Sequence, residues 1–262
     1  MQFSKKATEH IMSCRFCWMC HHVCPIGNAT GLERNTAHAR AISLSMVVKN
    51  AVEYTPDIID NVYECVLCGD CMTDCVTGWD PVMFTKEARL GAALDGKSPE
   101  YIMNMISNLQ EKGNIYGITA DISEIKGGDI LFFLGEDTRA KGDATKAIEL
   151  LKKANVDFSL LKDEPNSGYS MDFMVGAAEE TKKIMENCAG ILNNYKKVVC
   201  YDPADAKVML REYKEWGVDL KAEVVTFTAF VSELIKEGKL APSKTNLIFT
   251  PQDSPILARD LE

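Results

Sequence analysis

No stretch of eighteen or more consecutive apolar residues occurs in the 262-residue chain, so no transmembrane helix is expected. The opening Met1-Gln2-Phe3-Ser4-Lys5-Lys6 leads into no apolar signal core, which predicts a cytoplasmic protein. No block of basic residues interrupts the formal net charge of −9. That argues against nucleic acid, because a polyanion is held by clustered Lys and Arg. Neither G-x-G-x-x-G nor a P-loop is present, so a dinucleotide or nucleoside triphosphate site has no support. With 46% hydrophobic and 26% charged residues, the chain can bury a sizeable core in one large domain or two ordinary ones.

Cysteine is what the chain has in excess. Eight of the ten cysteines stand before residue 76 in two tight groups, leaving only Cys188 and Cys200 outside. A reducing compartment excludes structural disulfides for them. The first group is Cys14-Arg15-Phe16-Cys17-Trp18-Met19-Cys20-His21-His22-Val23-Cys24-Pro25, or C-x2-C-x2-C-x3-C-P. The second, Cys65-Val66-Leu67-Cys68-Gly69-Asp70-Cys71-Met72-Thr73-Asp74-Cys75, repeats the spacing with Val76 in place of the proline. Three thiolates at this interval let one tight loop wrap three corners of an iron–sulfur cube, and the fourth points away. The spacing resembles that of two-cluster ferredoxins, in which the fourth cysteine ligates the other cluster. The resemblance implies two 4Fe–4S clusters, one on Cys14, Cys17, Cys20 and Cys75, the other on Cys65, Cys68, Cys71 and Cys24. Zinc is the rival reading, but structural zinc uses two separated C-x2-C knuckles, and the third cysteine of each run would be surplus.

Within the runs, Phe16, Trp18, Val66 and Leu67 are expected to shield the clusters from water. His21 and His22 could replace a ligand in principle. With all four cysteines present they read as solvent-facing neighbours.

Forty residues separate Cys24 from Cys65, and the insert looks helical. Residues 36–49 lack Gly and Pro. Thr55-Pro56-Asp57 is an N-cap, an N1 proline and an acidic first turn, with Ile58, Ile59 and Val62 on one face. Asp80-Pro81 and Ser98-Pro99 repeat the start signal. The latter opens a helix with Tyr101, Ile102, Met105, Ile106 and Leu109 on one face, ended by Lys112-Gly113. Residues 1–117 therefore read as an all-α domain. It resembles the α-helical ferredoxin domain of heterodisulfide reductase iron–sulfur subunits and of the succinate dehydrogenase iron–sulfur protein.

After the expected linker Lys126-Gly127-Gly128-Asp129, strands alternate with helices. Strands are expected at 130–134, 156–161, 197–200, 224–227 and 247–250, and helices over 143–154, 177–192, from Asp202-Pro203 to Trp216, and from Thr228. Residues 162–174 read as a long polar loop. The pattern predicts, over 118–262, a layered α/β domain with a largely parallel sheet, making the chain multidomain.

The order of domains resembles the iron–sulfur subunits of heterodisulfide reductase, anaerobic glycerol phosphate dehydrogenase and glycolate oxidase, which carry cysteine-rich CCG domains. The matching pieces are Phe133-Leu134-Gly135, Glu164-Pro165-Asn166-Ser167-Gly168, Val198 to Asp205, Tyr213, Asp253 and Arg259. Where that family has ligand cysteines, this chain has Glu136, Asn166, Ser167, Asp202 and Asp205, and Cys200 lies two residues early. The domain thus reads as a relative that kept the fold and lost the cofactor. A hard-metal site on Glu136, Asp202 and Asp205 is the alternative, although Asp202 already serves as an N-cap before Pro203. Cys188 and Cys200 read as core residues.

The resemblance implies an electron-transfer subunit that relays single electrons to or from a flavoprotein, or to a soluble ferredoxin or other redox subunit. The α/β domain would be a docking platform without a catalytic residue. Two other readings stay open: a catalytic subunit acting on a disulfide or similar substrate, and an iron–sulfur sensor or scaffold.

Overall fold

The computed structural model describes residues 3–261. Up to residue 112 the regular elements are helices: α1 (Lys5–Ser13), α2 (Met19–Val23), α3 (Pro25–Thr30), α4 (Ala37–Val48), α5 (Pro56–Tyr63), α6 (Asp70–Thr73), α7 (Pro81–Leu94) and α8 (Glu100–Lys112). Local chemistry sets their starts. Ser4 Oγ accepts from the Ala7 amide at 3.1 Å, Thr36 Oγ1 from Ala39 at 3.3 Å and Asp80 Oδ1 from Met83 at 2.9 Å. Pro56 and Pro81 occupy the first turns as predicted, but the Thr55 hydroxyl makes no cap bond. Gly113 ends α8 in the left-handed conformation, φ 73°. On α8 the buried face is carried by Ile102 and Leu109, whereas Tyr101, expected inward, is half exposed.

Ile11, Leu44, Ile59, Val62 and Phe84 meet in a core from which α1, α4, α5 and α7 exclude water. Ala41, Ala88 and Ala92 let the helix backbones approach. Met171, Met174 and Val175 belong to the same core. They come from α11 (Tyr169–Val175), which lies along α7. The expected polar loop 162–174 therefore ends in a buried helix, because Gly168 at φ 91° turns the chain into it and three apolar residues follow on one face.

The second half holds β1 (Ile130–Phe133), α9 (Glu136–Lys141), α10 (Thr145–Lys153), β2 (Phe158–Ser159), α12 (Glu179–Leu192), β3 (Lys197–Cys200), α13 (Pro203–Lys207), α14 (Tyr213–Glu215), β4 (Glu223–Thr226) and α15 (Phe227–Lys236). The four strands run parallel in the order β2-β1-β3-β4. Alternation along β1 sends Leu131 and Phe133 to one face, against Met185, Cys188, Met209 and Tyr213. Phe132 and Leu134 go to the other, against Leu151, Phe230 and Leu234. Helices thus cover both faces, as a parallel sheet requires.

Three details differ from expectation. The run 247–250 is no strand: the ladder ends at β4, and Leu247 and Ile248 are 78% and 101% exposed. Thr226, not Thr228, caps α15, its hydroxyl accepting from Ala229 at 3.3 Å. Nor is the glycine pair 127–128 a slack tether. A Cβ on Gly127 would lie 2.1 Å from the Phe158 carbonyl, so only glycine can pass β2 there.

Candidate metal centre

The two cysteine runs fold into the same loop twice. Phe16 and Trp18 have φ 54° and 68°, and Leu67 and Gly69, at the corresponding places, have φ 51° and 78°. These left-handed residues curl each loop around its thiols, and α2 and α6 follow at once. Packing of α2 against α6 sets the loops side by side. Cys24 leaves the end of α2 and caps α3, its Sγ 3.5 Å from the Gly27 amide and 3.4 Å from the Asn35 carbonyl oxygen. Cys75 leaves the end of α6, with Sγ 3.2 Å from Thr77 Oγ1.

The eight thiols fall into two cavities. One is lined by Cys14, Cys17, Cys20 and Cys75, with Trp18, His38 and Trp79. The other is lined by Cys24, Cys65, Cys68 and Cys71, with Arg40, Leu67 and Thr85. Each cavity receives three cysteines from one run and the fourth from the other. All ten cysteines are free.

The walls are apolar and the thiols crowd one another. Burial, then Cys14, pushes the Cys20 thiol up to about 11. Burial, then Cys65 and Cys68, raises Cys71. For Cys75 burial acts upward too, but hydrogen bonds from Thr77 and Trp79 outweigh it and leave it below the usual thiol value. Thiols held protonated by burial lose their protons to an incoming metal, so that binding is coupled to proton release. Among the described residues no three His, Cys, Asp or Glu side chains are grouped to hold a single ion. Thiols that line a cavity without converging on a point suit a cluster, whose irons each take one thiolate. A lone zinc would need four sulfurs at about 2.3 Å.

His38 was not foreseen from spacing. It is 3% exposed, lies 5.3 Å from the Trp18 ring and 5.8 Å from the Phe16 ring, and neither ring nitrogen has a hydrogen-bond partner, although Nδ1 stands 3.8 Å from a Glu33 carboxylate oxygen. A buried donor facing the first cavity fits a sulfur acceptor there. Of the four residues expected to shield the clusters Leu67 alone is itself buried, whereas Phe16, Trp18 and Val66 are 54%, 47% and 45% exposed, Trp18 lining the first cavity with its outer side in water. His21 stacks on Trp18 at 5.7 Å.

Two buried arginines border the second run. From α4, Arg40 donates to the carbonyls of Asn61 (3.0 Å) and Asn35 (2.7 Å). From α7, Arg89 donates to the carbonyls of Val62 (3.1 Å), Tyr63, Cys65 and Phe173 (2.6 Å).

Glu136, Asp202 and Asp205, the alternative hard-metal set, are not grouped to hold a metal ion among the described residues. Asp202 Oδ1 caps α13 by accepting from Ala204 at 2.8 Å, as predicted. Asp205 accepts from Ser167, and Glu136 from Asn166 and, at 2.7 Å, from Ser170. Burial raises all three from the usual carboxylate range. Cys188 and Cys200 are solvent-free, and burial pushes the Cys188 thiol up to about 12. At the end of β1, Glu164 accepts from the backbone amides of Leu134 and Gly135 at 2.8 and 2.9 Å. Burial still lifts it to about 7, against the pull of Arg139 and those amides.

A helical frame with two apolar, thiol-lined cavities defines an iron–sulfur protein. Residues 10–79, which contain all eight of these cysteines, match the 4Fe-4S dicluster domain family, and an electron-transfer role is what such a domain supports. No curated protein and no solved structure is significantly similar to the chain.

Proposed function

We propose that the chain is an electron-transfer subunit carrying two 4Fe–4S clusters. Cys14, Cys17, Cys20 and Cys75 hold the first, and Cys65, Cys68, Cys71 and Cys24 hold the second. The observation that carries this reading is the crossed supply of thiols, three from one run and one from the other, in both cavities. Neighbouring clusters make a one-electron wire. The two-electron chemistry then belongs to a partner, which by resemblance to heterodisulfide reductase and glycolate oxidase subunits is a flavoprotein. In this reading 1–117 is the wire and 118–262 a docking platform, in a reducing cytoplasm that keeps all ten cysteines free.

The catalytic alternative gains no support from the second half. Its two cysteines are solvent-free, and its carboxylates are taken up by caps and hydroxyls. Iron and acid-labile sulfide after anaerobic purification test the proposal. About eight of each per chain, with a coupled two-cluster EPR signal on reduction, is the expected result. About four of each would reduce the wire to a single centre. Clearly more than eight would move the metal into the α/β half.

A further inference from the structure

Arg40 and Arg89 are 2% and 0% exposed, and among the described residues neither is paired with a carboxylate: their hydrogen bonds go to carbonyl oxygens. Arg40 bonds only carbonyl oxygens. Arg89 bonds carbonyl oxygens and lies over the rings of Tyr63 and Phe173 at 5.1 and 4.7 Å. The ion pairs of this region go to Arg34, Lys86 and Arg259 instead. A guanidinium does not give up its proton, and burying one without an anion costs several kcal/mol. Here two are buried, close enough that Arg40 acts against the charge of Arg89. Two such charges call for an anion close by.

The second thiol-lined cavity lies beside both. Arg40 lines the cavity of Cys24, Cys65, Cys68 and Cys71, and Arg89 donates to the Cys65 carbonyl. A 4Fe–4S core with four thiolates is a dianion when oxidised and gains one more negative charge on reduction. The carboxylate on that cavity wall, Asp70, is already paired with Arg259 at 3.0 Å. The first cavity has no such provision: its one cation is Arg15, which is exposed.

We propose that Arg40 and Arg89 are the counter-ions of the second cluster and hold its reduction potential above that of the first. An electron entering the wire then comes to rest on the second cluster, among α3, α4, α6 and α7, and not on the cluster beside the half-exposed Trp18. The inference rests on the two-cluster reading, and its test separates the two.

The test is a mediated redox titration of the full chain followed by EPR, for wild type, Arg40→Gln and Arg40→Lys, with iron counted in each sample. Wild type should titrate in two one-electron waves. Arg40→Gln should shift the higher wave at least tenfold toward the oxidised form, about 59 mV, and leave the lower wave in place. Arg40→Lys should restore most of the shift. An Arg40→Gln chain that holds only about four irons, beside an Arg40→Lys chain that holds eight, would likewise show that charge is what the cluster needs. Eight irons with both waves unmoved, movement of the lower wave, or equal iron loss in both variants would overturn the counter-ion role. A wild-type chain without about eight irons would overturn the two-cluster reading itself.

Discussion

Trp18 and Gly69 occupy the same place in the two cysteine loops, and both are left-handed, at φ 68° and 78°. Glycine adopts that conformation freely, whereas a side chain there costs about 1–2 kcal/mol. The first loop tolerates the strain and gains an indole half over its cavity.

Gly69→Ala should therefore destabilise the loaded protein by about 1 kcal/mol from the backbone alone, since a Cβ at that site meets nothing within 4 Å. Trp18→Gly should leave stability nearly unchanged, because relief of strain is offset by a freer unfolded chain. It should bleach several-fold faster in air. Anaerobic thermal melts and the decay of visible absorbance read the two effects. Equal bleaching rates would deny the ring its covering role.

The crossed ligand supply predicts which double variants are redundant. Cys20→Ala and Cys75→Ala each remove one cluster of the two, and together should remove no more iron than either alone. Cys20→Ala with Cys24→Ala should remove both, although the two residues stand four apart. Iron per chain decides, and additive loss in the first pair would refute the pairing.

Glu164 makes stability pH-dependent. Its folded pKa of about 7 lies above the ordinary 4.5, so its contribution is intact below the lower value and is lost as pH rises through the upper. Melting temperature should fall between about pH 5 and pH 8, by an amount equivalent to at most about 3 kcal/mol. Glu164→Gln should flatten that slope. A wild-type profile that is already flat, or rises, would contradict the sign.

Met174 tests how α11 serves the helical half. Met174→Ala should cost about 2–5 kcal/mol and release iron at a lower temperature, although Met174 lies almost one hundred positions beyond the last cysteine of the second run. Unfolding of the sheet without earlier iron loss would show that the two halves melt apart.

Much of this was legible because spacing and periodicity are local. The eight cysteines, the proline starts at Pro56 and Pro81, and four of the strands lie in short windows whose chemistry is self-contained. What stayed hidden depends on distant partners. Nothing near His38 announces that it is buried without a hydrogen-bond partner. Arg40 and Arg89 look in sequence like any helical surface arginines. Leu247 to Thr250 has a strand's composition, but an extended run becomes a strand only when a ladder edge receives it. Tyr169 to Val175 looked like loop because its apolar face is turned to α7, an element absent from its neighbourhood in the chain.

Arg89 donates to the carbonyls of Val62, Tyr63 and Cys65 from one end of its guanidinium, and to the carbonyl of Phe173 from the other. The second cysteine loop and α11 hang from the same side chain. Any strain on α11 therefore reaches the strip of backbone that starts at Cys65, at the mouth of the second cavity, through one guanidinium.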